Sequence, residues 1–71
     1  MMQFTAVIEK TSTGYSAYIP DLPGCVAAGD TIEDTKQLLR EAVTLYIDET
    51  RAGGAAVPQS STVATVIEVP A

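Results

Sequence analysis

The stretch YIPDLPGCVAAGDT, Tyr18 to Thr31, holds two prolines, two glycines and the chain's single cysteine. Reading it decides the fold. Leu22 precedes a proline and is pushed to an extended conformation. Pro23 followed by Gly24 suits the central positions of a type II turn. Proline presets the first φ, and glycine accepts the positive φ at the second. Pro20 ends a strand, because it has no N–H to give to a ladder. Cys25 to Ala28 reads as a short strand of small residues that Gly29 and Asp30 stop. Thr31 is a good helix N-cap, with Glu33 and Asp34 in the first turn, where the helix dipole favours negative charge.

Upstream of this stretch, Met2 to Lys10 alternates. Met2, Phe4, Ala6 and Ile8 fall on one face, and Gln3, Thr5, Val7 and Glu9 on the other, the pattern of a half-buried strand. Thr11 to Gly14 is a turn cluster, so Tyr15 to Ile19 is expected to return as the second arm of a hairpin. Downstream, Ile32, Thr35, Leu39, Ala42, Val43 and Tyr46 share one helical face. Glu33, Gln37, Arg40, Thr44 and Asp48 share the other. Leu38 and Leu45, a heptad apart, widen the apolar stripe and are expected to belong to the core. Gly53 and Gly54 end the helix. Ala55 to Ser61 is a linker, and the β-branched run Thr62 to Val69 is expected to form a fourth strand.

The expected fold is α+β, in the order β-β-β-α-β: a mostly antiparallel four-stranded sheet with one helix on one face. The last strand would pair by a right-handed crossover. The uncovered face would carry some of Val7, Tyr18, Val26, Ala64 and Val66. Such a face is too apolar to be left in water, so a homo-oligomer, dimer or tetramer, is expected.

Composition bounds the function. The 71 residues make one small domain, whose core supplies only ~3–5 kcal/mol. There is no histidine and one cysteine, so neither an internal disulfide nor a structural zinc site is available, and no cofactor is expected. Four lysines and arginines stand against nine acids, for a formal charge of −5. Direct nucleic-acid binding, which displaces counterions with basic side chains, is therefore not expected. A basic protein partner is the better match, because complementary charge speeds encounter. No apolar run approaches the ~20 residues a membrane span needs, and a lone cysteine without a secretion leader points to the reducing cytoplasm.

The phrase PDLPGC (Pro20 to Cys25), with Tyr18 two residues before it and GDT plus acids after it (Gly29 to Asp34), resembles the HicB antitoxin family. EAVTLYIDE (Glu41 to Glu49) resembles that family's helix, and GGAAVP (Gly53 to Pro58) its following loop; Gln59-Ser60 stands where a second proline is common. The resemblance covers nearly the whole chain. It implies a partial ribonuclease-H-like domain with the same element order, acting as an antitoxin that neutralises HicA, a small basic toxin that cleaves messenger RNA. Many HicB proteins add a C-terminal DNA-binding domain. This sequence stops soon after the expected fourth strand, so residues 1–71 are expected to be a single HicB-like domain without it. The alternative is a stand-alone HicB-like domain that self-associates and has no toxin.

Catalysis is not expected. A nuclease of the ribonuclease-H type needs carboxylates clustered around two metal ions about 3.5–4 Å apart, and Glu9, Glu41 and Glu68 do not read as converging. Nucleophilic catalysis lacks a histidine base, and Lys10 has no apolar sequence context that would activate it. The expected partner-binding residues are Tyr18, Pro20, Asp21, Leu22 and Pro23. Each has a second reading. Tyr18 is an interface anchor or an ordinary strand aromatic. Asp21 meets a basic group or bonds its own backbone at the turn. The prolines hold the loop's shape. Cys25 reads as a small buried hydrophobe, and the helix acids as a solvated face.

Overall fold

The computed structural model describes residues 2–71. Three strands, β1 (Val7–Lys10), β2 (Tyr15–Tyr18) and β3 (Val26–Gly29), precede one helix, α1 (Ile32–Ala52). The strands form an antiparallel sheet in the order β1-β2-β3. Residues 11–14 close the β1–β2 hairpin. The Thr11 N–H donates to the Gly14 carbonyl at 2.9 Å, and the Gly14 N–H donates to Thr11 Oγ1 at 3.0 Å.

Register sets the two faces of the sheet. Ile8, Ala17 and Ala27 are cross-strand partners on the helix side, where Ala17 is buried and the other two pack against the core. Val7, Tyr18 and Val26 form the row on the opposite face. Period-two alternation makes this division unavoidable once the register is set.

The helix begins as its sequence dictates. Thr31 Oγ1 accepts from the Asp34 N–H at 3.0 Å, satisfying one of the otherwise unpaired first-turn donors. It ends in a Schellman motif. The Ala55 N–H reaches the Thr50 carbonyl at 3.1 Å and the Gly54 N–H reaches Arg51 at 3.0 Å, with Gly54 at φ +79°, the left-handed position that favours glycine. The helix packs on β3 and β2. Thr35 and Leu39 are its buried residues, with Ala42, Val43 and Tyr46 partly buried beside them.

Two close approaches fit the helix to the sheet. A Cβ on Gly14 would lie 2.3 Å from the Gly29 carbonyl, and one on Gly29 would lie 2.8 Å from Thr35 Oγ1. Thr35 is fully buried, and its hydroxyl donates to the Thr31 carbonyl at 2.7 Å. Gly29 lets the end of β3 meet the first helical turn, and Gly14 lets the β1–β2 turn lie against the end of β3.

The structure departs from the expected fold in three places. The fourth strand is absent among the described residues: residues 62–69 form no strand, and Val63, Val66, Ile67 and Val69 are 76–91% exposed. β-Branched residues favour strands through packing on neighbours, and this segment has none. Ala64 and Val66 therefore do not join the outer face. The first strand is also shorter than the alternation predicts, because residues 2–6 find no ladder partner. Finally, Leu38, Leu45 and Ile32 stand exposed. The narrow three-stranded sheet covers only one stripe of the helix.

Candidate functional site: the double-turn loop and the segment it clamps

Residues 19–25 make two successive turns. The Leu22 N–H donates to the Ile19 carbonyl at 3.1 Å, and the Cys25 N–H to the Leu22 carbonyl at 3.0 Å. The Ile19 N–H donates to the Cys25 carbonyl at 3.2 Å, closing the loop where β2 ends and β3 starts. Pro23 and Gly24 are the centre of the second turn, and Gly24 has φ +83°. This is the type II geometry expected from the sequence. Pro20 and Asp21 are the centre of the first turn, and neither has a positive φ.

The loop has an inner and an outer side. Leu22 is fully buried, and Ile19 and Cys25 join it in the core with Ala17 and Leu39. Burying a leucine contributes about 1.5–3 kcal/mol, a large share of what so small a core supplies. Burial pushes the Cys25 thiol pKa up, so the group stays neutral and unreactive.

Asp21 faces the chain's last segment. Its Oδ2 accepts from the backbone N–H groups of Ser61 and Thr62, both at 3.1 Å. Its Oδ1 accepts from the Ser61 hydroxyl at 3.1 Å and the Thr62 hydroxyl at 2.8 Å. The Thr62 backbone bond leads these contacts in holding the carboxyl below the usual 3.8. On its other side, Thr62 offers its carbonyl to the Thr5 hydroxyl at 2.9 Å. One carboxylate thus ties the loop to a segment 40 residues away, beside the approach to β1.

The five expected binding residues are not equivalent in space. Leu22 is inside the core, so it shapes the loop rather than its surface. The Asp21 carboxylate is occupied within the chain. Pro20 is half-buried. Tyr18 and Pro23 are exposed, with Tyr18 41% accessible at the middle of the Val7–Tyr18–Val26 row. Ser61 and Thr62 escaped the sequence reading. No local signal marks them, since a partner 40 residues away leaves no periodicity.

A second feature lies between residues 2–6 and α1. It is an open groove of about 740 Å³ with Phe4, Ile19, Leu39 and Val43 on its walls and Lys36 and Arg40 beside them. Among the described residues, no group of three or more His, Cys, Asp and Glu is placed to hold a metal ion, and no helix is long and apolar enough to cross a membrane.

Residues 4–71 match the family model described as HicB_like antitoxin of bacterial toxin-antitoxin system. The chain belongs to the HicB-like antitoxin family. Among solved structures, a chain of the HicA3 and HicB3 toxin-antitoxin complex superposes with a TM-score of 0.66 at 32% identity, over 79% of this chain and 65% of that one. A 14.9 kDa protein from the rep-hol intergenic region of Haemophilus phage HP1 is 32% identical over 97% of this chain. The chain spans about half of that relative's length, 52%. A UPF0150 protein of Helicobacter pylori is 41% identical over 72% of this chain and 71% of its own length. A UPF0150 protein of Synechocystis is 34% identical over 93% of this chain and 85% of its own length.

Proposed function

We propose that this HicB-like chain is the antitoxin of a type II toxin–antitoxin pair and neutralises a HicA-like, messenger-RNA-cleaving toxin by binding it. The observation that carries this reading is the superposition on a chain of a HicA–HicB complex at 32% identity. The charge agrees: at −5, the chain draws in a small basic protein and speeds encounter. Tyr18 and Pro23 are the contact residues. Tyr18 is exposed in an apolar cross-strand row, and tyrosine is enriched where interfaces concentrate their binding energy. Pro20, Asp21 and Leu22 hold the loop in shape from beneath. Such a stiff loop loses little entropy on binding. The chain works by masking its partner, without chemistry of its own, and does so in the cytoplasm as a homo-oligomer. The exposed aliphatics of residues 63–69 and the helix flank of Leu38 and Leu45 support self-association.

A second reading, a stand-alone HicB-like domain that self-associates without a toxin, is favoured by the Synechocystis relative, 85% of whose length is matched. Co-expression with a HicA-like toxin encoded beside the gene separates the two. Restored growth and a stoichiometric complex on purification are expected for the antitoxin. Continued messenger-RNA cleavage with no complex would overturn it and leave the stand-alone domain.

A further inference from the structure

Residues 63–69 have the composition of a strand and no strand to pair with. Val63, Thr65, Ile67 and Val69 lie on one side of the alternation, and Ala64, Val66 and Glu68 on the other. The four large aliphatics are 76–91% exposed. The segment nevertheless leaves the body at a defined point, because the Asp21 carboxylate and the Thr5 hydroxyl grip Thr62 from two sides. Beyond that grip it runs into solvent. The radius of gyration is 14.0 Å and the longest dimension 49 Å, whereas a closed domain of this length has a radius of roughly 11 Å.

The same molecule carries an unused place for a strand. Among the described residues β1 pairs with β2 alone, so its outer edge offers free N–H and C=O groups. Residues 2–6 continue that edge without a ladder partner. The groove beside them has an apolar wall of Phe4, Leu39 and Val43, flanked by Lys36 and Arg40, two of the chain's four basic residues. An incoming 63–69 segment brings Val63, Ile67 and Val69, which share one side of its alternation, to the wall, while Glu68 lies on the other side. A basic partner would be repelled from the same place.

We infer that residues 63–69 of one copy supply the fourth strand to the β1 edge of a second copy, the two copies exchanging these segments reciprocally. This inference rests on the self-association reading above and names the surface through which it runs. The exchange is isologous, so each copy both gives and receives a strand and the contact closes at two. It pairs the free edge and removes the aliphatics from water in one step. It also gives the Asp21 clamp a purpose: it fixes the point from which the exchanged strand departs.

Light scattering on the full chain at micromolar concentration tests this, together with Ile67→Asp. The wild-type mass is expected at twice 7.4 kDa, and the variant at 7.4 kDa with its helical circular dichroism intact. Backbone amides of residues 3–10 are expected to exchange more slowly in the wild type than in the variant. A monomeric wild type would overturn both self-association and the exchange. A dimer that survives Ile67→Asp would overturn the exchange alone, placing the contact on another face. Loss of the helical signal in the variant would also overturn it, because the segment would then belong to its own body.

Discussion

Thr62 donates twice to Asp21, from its backbone N–H to Oδ2 at 3.1 Å and from its hydroxyl to Oδ1 at 2.8 Å. The aspartate of the double-turn loop is therefore a clamp on the chain's last segment. Paired hydrogen bonds to a carboxylate are stronger than neutral ones, and these two share it with the matching pair from Ser61.

Asp21→Ala is expected to free residues 61 and 62 while leaving sheet and helix in place. Hydrogen exchange checks this, with protection of the Ser61 and Thr62 amides falling and that of β2 unchanged. Acid is expected to act alike. The Asp21 carboxyl is held below the usual 3.8 by bonds that require its charged form. Its contribution is fully present above that value and fades as pH falls below it toward the folded-state pKa. The wild-type clamp loosens on acidification, whereas in Asp21→Ala the amides of residues 61 and 62 show no such acid dependence.

Gly24→Val is expected to destabilise the domain by about 1 kcal/mol or more, through positive φ alone. Nothing lies within 4 Å of the added Cβ, so the Cβ itself meets no neighbour and backbone strain leads the effect. A fall in Tm of roughly 4–8 °C per kcal/mol is the readout.

Gly14→Ala tests the other use of glycine. Its φ is not positive, but its Cβ would meet the Gly29 carbonyl at 2.3 Å. Backbone must move, and a larger loss of Tm than for Gly24→Ala is expected from thermal melts of the two variants side by side.

Leu22→Ala and Tyr18→Ala separate the inside of the loop from its outside. Leu22 is fully buried, and its truncation is expected to cost about 2–5 kcal/mol, enough to unfold a domain of this size. Tyr18→Ala is expected to keep its melting temperature within a few degrees and to weaken binding of a HicA-like toxin by about 2 kcal/mol, roughly thirty-fold. Calorimetry on the folded variant checks the second, and an unchanged affinity would remove Tyr18 from the interface.

The sequence alone determined the elements whose causes are local. Pro23-Gly24 specifies a type II turn because each residue's own φ preference fits its position. Thr31, followed by acids and a 3.6-residue apolar period, specifies where the helix starts and which stripe it buries; Gly53-Gly54 specifies where it ends. The outer row of Val7, Tyr18 and Val26 was legible from alternation. Only the tertiary structure decided what depends on distant neighbours. It left residues 62–69 without a strand to pair with, because β-propensity is realised only by packing and pairing with a neighbouring strand. It left Leu38 and Leu45 in water, because a three-stranded sheet is narrower than the helix stripe. It gave Asp21 two partners 40 and 41 residues away, since hydrogen bonds that close across the fold leave no mark on the local pattern.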